Sequence, residues 1–331
     1  MTPEHPRTKL MLEWLNDDLA LDIHQYGLAS SDASFRRYFR IQTEHGSFIV
    51  MDAPPEKENI ATFIKVAHLL ARSTINVPDI FEQNLSRGFL LLEDFGSTCY
   101  LDRLTEANAR SLYQSALDSL FRQQTQISIE NSDLPHYDWA LLERELAIFD
   151  EWFLDRYLGL AIPGQIRSAL HDLLIESALE QPTTCVHRDY HSRNLMVVET
   201  DCPGVIDFQD AVIGPVTYDL VSLLRDCYIG WPNSLVERWM TDYWQRLGQA
   251  GVVSCDLGRF QRWFDLMGLQ RHLKAIGIFS RLHLRDQKSG YLKDIPLTMR
   301  YVTDTCSRYP ELSEFADFLR HQLPPSHFQI A

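Results

Sequence analysis

No run of apolar residues here is long enough to form a signal-peptide core or a membrane span, and the opening stretch "MTPEHPRTKLMLEWLND" supplies none. A cytoplasmic protein with no membrane partner is the expectation. The 6 cysteines include no C-x-x-C pair, which removes the common zinc and dithiol patterns and leaves reduced, buried thiols. No internal repeat and no low-complexity linker breaks the chain. Basic residues are in deficit: 31 Lys and Arg stand against 45 Asp and Glu, a formal charge of −14. Such a surface repels a phosphate backbone, so no nucleic-acid partner is expected. An anionic nucleotide would instead need local cations or a metal to offset the field.

What is present is ordinary globular material, 45% hydrophobic and 23% charged over 331 residues. Helical spacing of Leu10, Met11, Trp14 and Leu15 predicts a leading helix within 7–20. "FRRYFRIQTEHGSFIVMD" (35–52) predicts two strands turning at Glu44-His45-Gly46, and "KENIATFIKVAHLLAR" (57–72) a helix. "PDIFEQNLSRGFLLLED" (78–94) predicts two more strands around Ser-Arg-Gly. Helices are expected near 104–127, 138–157, 164–180, 233–248 and 257–286, interrupted by a short hairpin within 193–208. The fold class is therefore α+β and bilobal. An antiparallel-sheet lobe over 1–95 precedes a mostly helical lobe over 96–331, with a cleft between them as the expected ligand location.

The chemistry concentrates in "CVHRDYHSRNLM" (185–196) and "VIDFQD" (205–210). Phosphoryl transfer requires a carboxylate to orient and accept the proton of an attacking hydroxyl. It also requires oxygen ligands that hold magnesium against nucleotide phosphates. Asp189 on a loop suits the first role; Asn194 and Asp207, joined by the hairpin, suit the second. His187-x-Asp189-x-His191 also permits a hydrolase-type metal cluster, but that reading lacks further ligand pairs and leaves Asn194 and Asp207 unexplained. His187 is expected to order the loop.

With "SSDASFRRYFR", "VMDAPPEKEN", "LLLEDFG", "HRDYHSRNLM", "VIDFQDAVIGPVTYDLVSLLRD" and "GIFSRLHLRD", the sequence resembles the aminoglycoside-phosphotransferase and choline-kinase branch of the protein-kinase-like fold. Within that branch it is most similar to bacterial kinases of N-acetylmuramate and N-acetylglucosamine. The resemblance spans about residues 10–320. It implies ATP and Mg²⁺ as cofactors, a sugar's anomeric hydroxyl as acceptor, a place in cell-wall sugar recycling, and Asp219 as a support of the catalytic loop. It says nothing of protein partners.

The chain departs from the family pattern in two places. The phosphate-loop position, "ASSDAS" (29–34), has no glycine; Ser30, Ser31 and Ser34 are its candidate donors. The third-strand lysine position holds Asp52. Either the site relies on magnesium or a cation comes from elsewhere, with Arg36, Arg37 and Arg40 as candidates and Arg37 the choice among them; Glu58 occupies the position of that cation's acidic partner. Asp94-Phe95-Gly96 spells the metal tripeptide of protein kinases, yet it precedes the catalytic loop. It is expected to mark the hinge, with Glu93, Asp94 and Phe95 beside the adenine. For the acceptor, His191, Arg193 and Arg225 are candidates for a carboxylate such as the lactyl group of muramic acid, and Gln209 and Asp210 for sugar hydroxyls. Trp231 and the helix through 270–282 are candidates for an apolar wall. An aminoglycoside, choline-like or amino-acid acceptor, and a nucleotide-binding pseudokinase suggested by Asp52, are the alternatives.

Overall fold

The computed structural model describes residues 5–31, 35–200 and 202–323, apart from the side chains of Ser30 and Ser31. By contact density the chain divides into two compact units, Met1–Arg103 with Leu195–Gln209, and Leu104–Asn194 with Asp210–Ala331.

The first unit is built on a five-stranded antiparallel sheet. Its strands are β1 (Ile23–Ser31), β2 (Arg37–Thr43), β3 (Gly46–Asp52), β4 (Ile80–Asn84) and β5 (Phe89–Glu93), in the order β1-β2-β3-β5-β4. The β2–β3 hairpin closes on the Thr43–Gly46 pair, and Gly46 takes φ +123°, which only glycine adopts easily. Alternation along the strands puts Phe39, Ile41, Val50, Phe89 and Leu91 on one face. Helix α1 (Pro6–Glu13) and the π-helical turn Trp14–Asp18 cover that face with Met11, Trp14 and Leu15. Trp14 stacks on Phe89 at 5.6 Å between centroids. Proline at the first turn and the His5 ring, which accepts the Arg7 N–H, start α1. Helix α2 (Ile60–Arg72) starts at Asn59, whose side chain accepts from the Ala61 amide at 3.0 Å.

β1 was not expected from the sequence. It is an edge strand with most of its residues exposed, so it lacks the alternating apolar pattern that reveals a half-buried strand.

Asp52 ends β3 with none of its surface exposed. It faces the α1 side, in phase with Val50, and binds two guanidiniums. Arg7 donates Nε at 2.6 Å, and Arg37 donates Nε at 3.1 Å together with Nη2. Arg7 also reaches the Arg87 carbonyl at 2.7 Å. The acidic residue at the lysine position therefore ties the leading helix to the sheet, and the pairing offsets the cost of burying its charge.

The hairpin β7 (Leu195–Met196) and β8 (Gly204–Val205) belongs to this first unit. The Val205 amide donates to the Asn76 carbonyl at 2.7 Å, and the Val197 amide to Thr98 at 3.0 Å. A Cβ on Gly204 would lie 2.6 Å from the Phe95 ring, so glycine lets that ring close over the hairpin.

The second unit is organised around the 30-residue helix α9 (Leu257–Asp286), started by the Asp256 side chain accepting from Arg259 N–H at 2.9 Å. Around it stand α4 (Ala109–Gln126), α5 (Trp139–Ile148), α6 (Gly164–Leu179), α7 (Tyr218–Leu224), α8 (Asn233–Gln249), α10 (Ile295–Arg308) and α11 (Ser313–Gln322); the short α3 is Tyr100–Arg103 of the first unit. A two-stranded pair, β6 (Thr183–Val186) with β9 (Val212–Pro215), flanks the 187–194 segment in sequence. These strands are short and, apart from the exposed Thr183, buried, and so short a run carries no readable period. No helix among the described residues is long and apolar enough to cross a membrane.

α5 continues as a π-helical segment, Phe149–Tyr157, where α9 presses against it. A Cβ on Gly277 would lie 2.6 Å from the Ile148 carbonyl oxygen and 2.7 Å from the Phe149 nitrogen. Both neighbours are backbone and cannot move aside as a side chain does. Gly277→Ala is expected to destabilise the protein by about 1–3 kcal/mol, read as a lower denaturant midpoint at unchanged m-value.

Candidate active site

The loop after β6 is held from below by a buried carboxylate. Asp219, in the first turn of α7, accepts the His187 amide at 2.6 Å and the Arg188 amide at 3.0 Å. Gln123 of α4 donates to Asp219 at 2.9 Å and to the Cys185 carbonyl at 3.1 Å. Burial raises the Asp219 pKa above the usual carboxylate range, while the amide bonds from His187 and Arg188 and the Gln123 hydrogen bond work against that rise. His187 Nδ1 accepts the Asp189 amide at 3.2 Å, so the ring does order the backbone around Asp189. Arg188 sits at φ 78°, a left-handed position for a side chain that rarely adopts it.

Asp189 emerges from this frame half-buried. Burial opposes its ionisation, but the charges of Lys274, Arg271 and Arg188 outweigh it and hold the pKa down to about 2. The carboxylate is thus ionised at any physiological pH. Asn194 donates Nδ2 to the Asp189 carbonyl at 3.0 Å, which turns its amide oxygen the other way. Ser192 donates its amide and hydroxyl to the buried Asp226, at 2.9 and 2.5 Å, closing the loop.

In the first unit, Asp207 follows β8 with φ 65° and accepts from Gln209 Nε2 at 2.8 Å. Phe208 beside it packs on Phe63 of α2 at 4.8 Å. Asp210, exposed and in the second unit, offers its carbonyl to Arg188 at 3.4 Å.

The cations nearest Asp189 were not anticipated, except Arg188 as a basic neighbour. Lys274 Nζ lies 2.9 Å from Glu145 Oε1, and Arg188 pairs with the same carboxyl. Tyr137 donates to Glu145, and Gln270 donates to both Tyr137 at 2.9 Å and Glu145 at 3.2 Å. Burial works against the Glu145 charge, but Lys274 and Arg188 bring its pKa down to about 2. The readable signal was "QRHLKA", two cations three residues apart near the middle of the long helix, among its buried apolar positions.

Of the carboxylate-binding candidates, Arg225 is committed elsewhere: it lies 2.6 Å from the buried Asp265. Arg193 stacks 3.7 Å above the Tyr228 ring and stands 3.9 Å from Asp294. His191 lies edge-on to Tyr228, and burial lowers its pKa, keeping the ring neutral near pH 7. Trp231 donates to Tyr113 at 2.7 Å.

The Asp94-Phe95-Gly96 tripeptide is bound up in its own unit. Asp94 accepts from Arg40 Nε at 2.6 Å and Nη2 at 2.8 Å, from Ser47, and from the Gly96 amide at 2.9 Å. Burial opposes its charge, yet these donors hold its pKa below the ordinary value. Glu93 accepts the Asp79 amide at 3.3 Å. Arg37, expected at phosphate, has its guanidinium on Asp52, and Glu58 stands 4.0 Å from Arg36. Ser34 lies outside the described residues, as do the side chains of Ser30 and Ser31. Among the described residues no three His, Cys, Asp or Glu side chains group as a metal cluster, as the His187-Asp189-His191 alternative would need.

Residues 26–256 match the model of the phosphotransferase enzyme family. The chain belongs to that family. It is 45% identical over 332 aligned residues to the N-acetylmuramate/N-acetylglucosamine kinase of Pseudomonas putida, covering 96% of this chain and 97% of that one. Among solved structures it is similar to the choline kinase LicA from Streptococcus pneumoniae, with a TM-score of 0.65, 11% identity and 91% and 99% coverage. It is also similar to the ADP-bound aminoglycoside phosphotransferase APH(2'')-Ib, with a TM-score of 0.58, 12% identity and 89% and 98% coverage. The fold is thus the α+β, protein-kinase-like one expected, in a family of phosphotransferases.

Removing the shared carboxylate of the buried cluster would leave Arg188 and Lys274 without their partner. Glu145→Gln is expected to cost about 3–5 kcal/mol at neutral pH. Glu145 titrates near 4.5 unfolded and about 2 folded, so its contribution is complete above pH 4.5 and fades as the pH falls toward 2. Unfolding curves of wild type and variant, taken from pH 7 downward, should converge across that window.

Proposed function

We propose that the protein is an ATP-dependent kinase that phosphorylates the anomeric hydroxyl of an N-acetylated amino sugar, N-acetylmuramate or N-acetylglucosamine. The observation that carries this reading is the 45% identity, running across nearly the whole of both chains, to a kinase of that name.

The local chemistry supports it. Asp189 is ionised and braced on its N-terminal side, so it can accept a hydrogen bond from the anomeric hydroxyl. It then takes the proton as the oxygen attacks the γ-phosphorus and ADP departs. Asn194 and Asp207 present an amide oxygen and a carboxylate, the hard oxygen donors that magnesium prefers, and magnesium takes few protein ligands because phosphates and water fill the rest. Those two residues would hold the ion, which would supply charge neutralisation for the nucleotide phosphates. Asp219 and Gln123 fix the loop that carries the base.

Asp52, the residue that suggested a pseudokinase, is satisfied by Arg7 and Arg37 in a structural pairing, so it is no sign that the chemistry has been lost.

The test is ADP release from ATP-Mg²⁺ with N-acetylmuramate, N-acetylglucosamine, kanamycin and choline. Turnover of the two sugars is expected. Turnover of kanamycin alone would replace the acceptor, and silence with every acceptor would favour a regulator. Asp189→Asn should lower kcat by about 10²- to 10⁴-fold, the usual contribution of a positioned base, with Asp207→Asn also lowering it by orders of magnitude. Near-wild-type rates in folded variants would displace the site.

A further inference from the structure

The buried cations of the second unit are nearly all matched to carboxylates. Arg188 and Lys274 share Glu145, and Arg225 holds Asp265 at 2.6 Å. Arg271, on α9 one turn before Lys274, differs. Only 7% of its surface is exposed, its Nε has no hydrogen-bond partner, and among the described residues no carboxylate stands within ion-pair distance of it. Its guanidinium lies 5.2 Å from the centre of the Tyr218 ring, an attraction too weak to replace a counter-ion. Nearby, the buried Nδ1 of His191 also lacks a partner. Arg271 and Asp189 stand close enough for each charge to influence the other, and the neutral His191 ring lies near both. Asp189 and Asp219 act on this guanidinium only at longer range, so its hydrogen-bonding fork is left without a carboxylate in direct contact, and an anionic ligand would supply one.

The two sugars named for the Pseudomonas putida relative differ in one ionised group. N-acetylmuramate carries a lactyl ether on O3, ending in a carboxylate; N-acetylglucosamine has a hydroxyl there. We propose that Arg271, assisted by the imidazole of His191, binds the acceptor's lactyl carboxylate and so sets the preference between the two sugars. This rests on the amino-sugar kinase reading above. Arg271 takes the role that Arg225 and Arg193 were expected to play. Arg225 is occupied by Asp265, and Arg193 lies over Tyr228. The planar fork of a guanidinium suits a carboxylate in two-point contact, which an ammonium cannot copy. A sugar gripped at its lactyl end would be oriented relative to the base that receives its anomeric proton.

The experiment compares N-acetylmuramate, its methyl ester and N-acetylglucosamine as acceptors for wild type, Arg271→Gln and Arg271→Lys, with ATP KM measured alongside. Wild type should prefer the acid over the ester by roughly 10- to 100-fold in kcat/KM, the value of a charge-assisted contact. Arg271→Gln should erase most of that preference and lower the N-acetylmuramate to N-acetylglucosamine ratio by a similar factor; Arg271→Lys should retain part of it. Equal use of acid and ester by wild type overturns the assignment without any variant having to fold. So does a folded Arg271→Gln with the ratio unchanged, or with its loss confined to ATP KM. No turnover of either sugar by wild type removes the amino-sugar reading, and this assignment with it.

Discussion

Everything proposed for Asp189 depends on how the backbone before it is held, and that falls to one carboxylate with no surface exposed. Asp219 accepts two successive amides, those of His187 and Arg188, and Gln123 ties it to the strand leading in. Buried amides demand acceptors whatever the sequence does elsewhere. Here a single side chain satisfies both, and the left-handed turn at Arg188 is sustained against its steric preference. The His187 ring then takes the next amide, so three consecutive N–H groups are fixed by side chains rather than by a regular ladder. This arrangement lets a loop position a reactive group as firmly as a helix would.

A second constraint is charge. The chain carries −14 overall, yet the neighbourhood of Asp189 is cationic, with Arg188, Arg271 and Lys274 gathered from the loop and one face of α9. One buried Glu145 answers two of these, and Tyr137 and Gln270 complete its hydrogen bonds. A phosphotransferase with a net negative charge thus keeps positive charge inside, where low dielectric strengthens it.

Much of this was legible in the sequence, because strong periods and strong turn chemistry announce themselves. The β2–β3 hairpin, α2, the β4–β5 hairpin and the full extent of α9 follow from apolar spacing and from Gly46, Gly88 and Asp256. The proposed roles of Asp189, Asn194 and Asp207 come from what phosphoryl transfer requires, and mutation tests them. What stayed hidden has physical reasons. β1 shows most of its residues to solvent, and β6 and β9 are too short to display a period. Arg271 and Lys274 lie in a helix whose apolar residues dominate its reading, and only tertiary packing reveals that their charges act on Asp189. Asp52 looked like a missing cation. It became intelligible once alternation along β3 placed it on the side covered by α1, facing Arg7.

Asp207 adopts left-handed backbone, which narrows the routes by which its codon can change without harm to the fold. Asparagine and glycine tolerate that conformation best, while branched residues resist it. Both are reached from aspartate by a single base substitution. A descendant of this chain that keeps its architecture but has no carboxylate at this position is therefore a near neighbour in sequence space.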